Sequence, residues 1–191
     1  LKKLDIKVSI DSANEQELLR GASAGADYIL SINEKNMHIM NNIKSSVPVL
    51  IPSVQGDLKS LEKIIKIFIK NKKDFYADPI LDPIHYGFSE SLIRYTSLRK
   101  KFPLIKMFMG TGNLTELTDS DSSGVNAILM GLVSELSINA VLVVQVSGHC
   151  RNSIKETDMA RKIMYFSKIN KRLPFRINES LMTTSNRKPT R

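Results

Sequence analysis

Apolar and polar positions along this chain switch between two periods, a short alternation and a helical repeat of about 3.6 residues, and the switching is regular. Lys7-Val8-Ser9-Ile10-Asp11 reads as a short strand. Ser12 and Glu15 have capping-box spacing, opening a helix through Leu18, Leu19 and Ala22 that Gly25 ends. Tyr28 to Ile32 predicts a second strand, followed by a helix near Met37 to Ile43. Val47 to Val54 predicts a third strand, with irregular pairing because Pro48 and Pro52 interrupt it. A Lys-rich helix follows from Leu58 to Ile69, then a strand at Phe75 to Asp78. Ser89 can cap a helix from Glu90 to Lys101, and Ile105 to Met109 is the fifth strand. Beyond a long polar loop, Val125, Ile128, Leu129, Leu132, Val133 and Leu136 give the clearest helical stripe. Ala140 to Val146 is a fully apolar sixth strand, and Ile154 to Phe166 a last helix.

Strands alternating with helices predict βαβ units and a parallel sheet. Such a sheet is either a doubly wound open sheet or a (β/α) barrel, and six strands are two short of the barrel's eight. No glycine-rich dinucleotide fingerprint follows the first strand, since Ile10-Asp11-Ser12-Ala13-Asn14 contains no glycine. Residues 1–170 are expected to be one (β/α) portion, and 171–191 a basic, loosely ordered tail.

Composition changes this picture little. At 191 residues, 42% hydrophobic and 25% charged, the chain resembles an ordinary globular domain. No apolar run approaches the ~20 residues of a membrane span, and no leader is visible ahead of the first strand; no membrane partner is expected. A single cysteine, Cys150, fits a reducing, cytoplasmic setting. The start at Leu1 suggests that something lies upstream. The net charge of +9 raises nucleic-acid binding as a possibility. Lys59, Lys63, Lys66 and Lys70, however, recur beside Leu58, Leu61, Ile65 and Phe68 as one solvated helix face. The other basic residues are scattered without interleaved aromatics, so no nucleic-acid partner is expected. His38, His85 and His149 are far apart, and no Cys/His spacing suggests a metal.

Both candidate architectures hold ligands at the carboxyl ends of their strands. Here those ends carry Asp11-Ser12, Asn33-Glu34, Asp78-Pro79, Gly110-Thr111-Gly112-Asn113 and Gln145-Val146-Ser147. Asp and Asn are common at caps and turns. At successive strand ends, though, such a set suits a flat, amide-rich heterocycle: a carboxylate can accept two parallel N–H bonds, and a carboxamide can both donate and accept.

Several segments resemble the pterin-binding superfamily, which includes dihydropteroate synthase and the pterin-dependent corrinoid methyltransferases. Val8-Ser9-Ile10-Asp11-Ser12-Ala13-Asn14 looks like its strand-end Asp motif, and Ile32-Asn33 is similar to its Ile-Asn strand end. Asp78-Pro79-Ile80-Leu81-Asp82-Pro83-Ile84 resembles its Leu-Asp-Pro segment, and Gly110-Thr111-Gly112-Asn113 sits where the methyltransferase branch carries Gly-x-x-Asn. The stretches Asp78 to Tyr95 and Met109 to Asn126 look closer still to the dihydropteroate synthase-related proteins of archaea and methylotrophs, which are linked to tetrahydromethanopterin and one-carbon metabolism.

The resemblance implies a TIM-barrel type fold covering strands three to eight. It implies Asp11, Asn33, Asp78 and Asn113 as pterin contacts, with Asp82 as the alternative to Asp78 and Gln145 at the last strand end. His149 and Arg151 would bind the leaving pyrophosphate, and the pterin would be the small-molecule ligand or substrate of a cytoplasmic transferase, with a homodimer compatible. Two departures bear on catalysis. Thr111-Gly112-Asn113 stands where the synthases carry a Lys, and the first two barrel strands are missing. A non-catalytic pterin-binding module, or a methyltransferase-like domain of a larger protein, therefore remains open beside the transferase.

Overall fold

The computed structural model describes residues 4–182. Among them, six strands form one sheet in chain order: β1 (Ser9–Ile10), β2 (Tyr28–Ile32), β3 (Val47–Leu50), β4 (Tyr76–Ala77), β5 (Lys106–Gly110) and β6 (Ala140–Leu142). The helices are α1 (Glu15–Ser23), α2 (Leu58–Lys70), α3 (Phe88–Lys101), α4 (Gly112–Thr115), α5 (Ser122–Glu135) and α6 (Ser153–Ile169). Short 3₁₀ turns lie at Met37–Asn41 and Gly148–Cys150. A doubly wound sheet reverses its strand order part-way. This one never does, and its pairing is parallel from β1 through β5. The fold is therefore of the parallel (β/α)-barrel type, incomplete at six strands among the described residues.

The chain divides into two compact units: residues up to Leu81 with Gly87–Met109, and Asp82–Tyr86 with the residues from Gly110 onward. In the first unit, successive strands align Ile29 with Pro48, Leu50 with Ala77, and Ala77 with Met107. Ile29, Leu50, Ala77 and Met107 are wholly buried, as are Leu61, Ile64 and Ile65 of α2 and Tyr95 and Leu98 of α3. Each large apolar side chain so covered contributes about 1.5–3 kcal/mol. The other face of the sheet carries Tyr28, Tyr76 and Phe108, each half-buried. Their rings meet edge to face, at 6.0 Å for Tyr28–Tyr76 and 6.4 Å for Tyr76–Phe108.

Local chemistry sets the element ends. Asn14, rather than Ser12, caps α1: its side chain accepts from Gln16 N–H, and the Ser12 hydroxyl instead accepts from Asn14 N–H. Gly25 adopts φ +93 just past α1, the left-handed position that a helix exit favours. Asp57 caps α2 through Lys59 and Ser60 N–H, and the four predicted lysines of that helix are all exposed. The helix predicted near 37–43 is only a 3₁₀ turn, held by paired Asn side chains: Asn33 N–H donates to the Asn36 side-chain oxygen, and Lys35 N–H to that of Asn33. Gly87 (φ +114), not Ser89, precedes α3. The irregular pairing expected of β3 is present as a register shift against β2 between Ile29 and Ile32, where Ser31 turns to φ +64.

In the second unit, α5 and α6 pack around a polar core. Asn126 is fully buried; its amide donates to Ser153 Oγ and to Glu156, both at 3.0 Å, and its oxygen accepts from Thr157 at 3.1 Å. Ser122 Oγ donates to the same Glu156 carboxylate at 2.6 Å. The apolar stripe predicted for α5 is correct about the helix but misplaces its buried side: Leu129 is buried, whereas Ile128 is 75% exposed. The expected loop before α5 contains the single turn of α4. The sixth strand is three residues long rather than seven and only part-buried, because as the last strand in the order it has a neighbour on one side only. Of the predicted tail, residues 183–191 lie outside the described residues.

Candidate functional site

Parallel strands bring their carboxyl ends to one edge, so the exits of β1 to β4 form a continuous rim in the first unit. At β1, Asp11 is exposed and accepts from the Ser31 hydroxyl at 2.7 Å. The bulge that puts Ser31 at positive φ thus ties the ends of β1 and β2 together. Asn33, one residue past β2, spends its carboxamide oxygen on Lys35 N–H, a local turn.

The exit of β4 is the most firmly built part. Asp78 is 8% exposed, and its Oδ1 accepts from Ile80 N–H at 2.8 Å and from the Tyr95 hydroxyl at 2.6 Å. Ile80 adopts φ +66. A β-branched side chain there is a strained outlier that persists only when its surroundings fix it. Arg94 supplies that fixing: its guanidinium donates Nε–H to Pro79 O at 3.1 Å and Nη2–H to Ile80 O at 2.9 Å. Two adjacent α3 residues, Arg94 and Tyr95, therefore clamp the Asp78-Pro79-Ile80 turn. Neither was singled out from the sequence. The signal was available: both belong to the face of α3 that also buries Ser91 and Leu98, and an arginine on a buried face needs a reason.

The remaining expected residues lie in the second unit. Asp82 is 2% exposed, Asn113 is exposed in α4, and Gln145 is exposed with its carbonyl oxygen on Ile154 N–H at 3.3 Å. His149 donates Nε2–H to Thr115 O at 3.0 Å, and Arg151 is exposed. Cys150 is buried with its thiol on Thr115 O, and burial pushes the thiol's pKa up. Glu116, which was not anticipated, accepts from Val146 N–H at 2.9 Å and Ser147 N–H at 2.8 Å. The Ser147 hydroxyl and these N–H groups hold its carboxyl below the usual range. Among the described residues, no group of three or more His, Cys, Asp or Glu could hold a metal, and no helix is long and apolar enough to cross a membrane. A cleft of this unit, about 640 Å³ and lined by Met130, Val133, Val141, Tyr165 and Ile169, lies beside the start of β6, away from the strand exits.

No family model matches the chain. Over 195 aligned residues, covering 93% of this chain, it is 35% identical to an uncharacterized protein of Methanocaldococcus jannaschii. The chain spans 37% of that protein's length. Among solved structures, it matches CdNal from Clostridium difficile in complex with mannosamine. The TM-score is 0.52 at 18% identity, over 88% of this chain and 54% of that one. The likeness is one of fold. It corrects the functional expectation: the solved barrel was obtained with mannosamine rather than a pterin, and neither match supports pterin binding or a dihydropteroate synthase-type transferase. The physical reason is that one barrel scaffold carries many chemistries, so Asp and Asn at strand ends do not by themselves name a ligand. The archaeal side of the resemblance survives only in the source of the relative.

Proposed function

We propose that this chain is the ligand-holding part of a (β/α)-barrel enzyme that takes a small, polar, amine- or hydroxyl-bearing molecule at the carboxyl ends of its strands. Asp78 is the main anchor and Asp11 a second contact. The observation that carries this reading is the Asp78 turn: a carboxylate at a strand exit, oriented by Tyr95 and Ile80, in a backbone conformation that Arg94 holds under strain. Strain of this kind gathers at binding and catalytic sites, and a fixed carboxylate makes strong charge-assisted bonds to an ammonium or hydroxyl group. The amine-bearing sugar in the matched structure belongs to that ligand class. Lys63 and Lys106 do not suit imine chemistry, because hydrogen bonds to Glu34 and Asp74 raise their pKa values, whereas a nucleophilic amine needs a lowered one. A single buried cysteine supports a reducing compartment, and we place the protein in the cytoplasm on that ground.

The test is a calorimetric titration with mannosamine as the probe, using the parent and the Asp78→Asn and Asp11→Asn variants. The parent should bind, Asp78→Asn should weaken binding about tenfold or more, and Asp11→Asn by less. Equal affinity of Asp78→Asn and parent removes the anchor role. No binding by the parent removes the ligand class.

A further inference from the structure

The loop leaving β6 presents two successive backbone N–H groups, Val146 and Ser147, and both donate to one carboxylate. Glu116 Oε1 accepts from the first at 2.9 Å and Oε2 from the second at 2.8 Å. Consecutive N–H groups that each reach one oxygen of the same carboxylate form a concavity that binds oxyanions through backbone alone. We propose that this loop is an oxyanion-binding site for a carboxylate or phosphate group of a ligand, and that Glu116 is the internal anion that fills it until the ligand displaces it.

Three observations support displacement over a permanent brace. The contact is open to solvent, with Val146 84% exposed, so dissolved anions reach the same N–H groups. The second unit's fixed polar contacts are built differently: Asn126 and Ser153 are fully buried, and the part-buried Glu156 carboxylate accepts from both Asn126 and Ser122. Finally, the loop follows the carboxyl end of a barrel strand, where ligands of this fold class bind. Arg151, an exposed cation, lies four residues beyond Ser147 in the chain. This site is independent of the Asp78 turn and uses none of its residues.

A tethered carboxylate competes at a high effective concentration, so removing it should strengthen binding of a free anion. The experiment follows the Val146 and Ser147 amide signals by ¹⁵N–¹H NMR during separate titrations with inorganic phosphate and acetate. Glu116→Ala should bind roughly tenfold or more tightly than the parent, with Glu116→Gln intermediate. The stronger of the two anions identifies the ligand group. Ser147 has φ −69, which proline adopts without strain, so Ser147→Pro in the Glu116→Ala background should abolish the response while Ser147→Ala retains it. The proposal is overturned if those two amides do not respond in a Glu116→Ala or Glu116→Gln protein whose other signals stay native. It is equally overturned if parent and variants respond with the same affinity.

Discussion

Two turns that leave strands are each held by side chains from well-separated parts of the chain, and they are held in opposite ways. After β4, the Asp78-Pro79-Ile80 turn is fastened by Arg94 and Tyr95, both buried, and one of its residues is kept at positive φ. After β6, the loop at Val146 and Ser147 is fastened by one solvent-open carboxylate and carries no strained residue. Burial makes the difference. A buried polar contact that is broken leaves its partner without water, whereas an exposed one is replaced by solvent at little cost. The first turn is thus a rigid fixture and the second an exchangeable one.

The sharpest way to break this contrast is at Arg94. Arg94→Ala removes the donors to two carbonyls that hold Ile80 in its strained conformation, and should cost about 3 kcal/mol in urea denaturation. A loss below about 1 kcal/mol means that the turn is not clamped. Tyr95→Phe keeps the ring and deletes the hydroxyl facing Asp78, so about 1–3 kcal/mol should be lost in the same experiment. Asn126→Ala asks whether burial matters in the second unit too. It strands Thr157 and Ser153, and about 1–2 kcal/mol is expected.

Acid should act on the second turn in a known direction. The Glu116 carboxyl is held below its ordinary value of 4.5, so its stabilising contribution is complete above that pH. It is lost as pH falls through the lowered value, and the Val146 and Ser147 amide signals should move in that window while the rest of the spectrum holds. The smallest effect concerns Cys150. Because burial raises its thiol pKa, iodoacetamide should label it slowly in the folded chain and quickly in urea, as read by mass spectrometry.

What could be read from the sequence divides along the same line. The apolar period of α2 located its exposed lysines, and the alternation of elements located the strand exits, because both are set by burial of apolar surface along one segment. The polar clamps were not legible, because they join residues well separated in sequence. Tyr95 reaches Asp78 across 17 positions, and Asn126 reaches Ser153 across 27. An apolar stripe gives no warning that a helix will bury Asn126 and leave Ile128 in water. The capping box failed more locally, because the helix starts two residues later than the box implies: Asn14 caps it through Gln16 N–H, and the Ser12 hydroxyl takes Asn14 N–H instead. The chemistry was the least legible. Strand-end carboxylates located a rim, but the ligand was inferred from likeness, and neither match supports it.

The rings on the half-buried face of the first sheet have an optical consequence. The chain has five tyrosines and no tryptophan. Tyr28 and Tyr76 are coupled edge to face and Tyr95 is fully buried, all in the first unit, whereas Tyr86 and Tyr165 are largely exposed. Near-ultraviolet circular dichroism requires aromatic rings in fixed asymmetric surroundings. The signal of this protein should therefore report on the β2–β4 sheet and its Asp78 clamp, almost blind to the second unit.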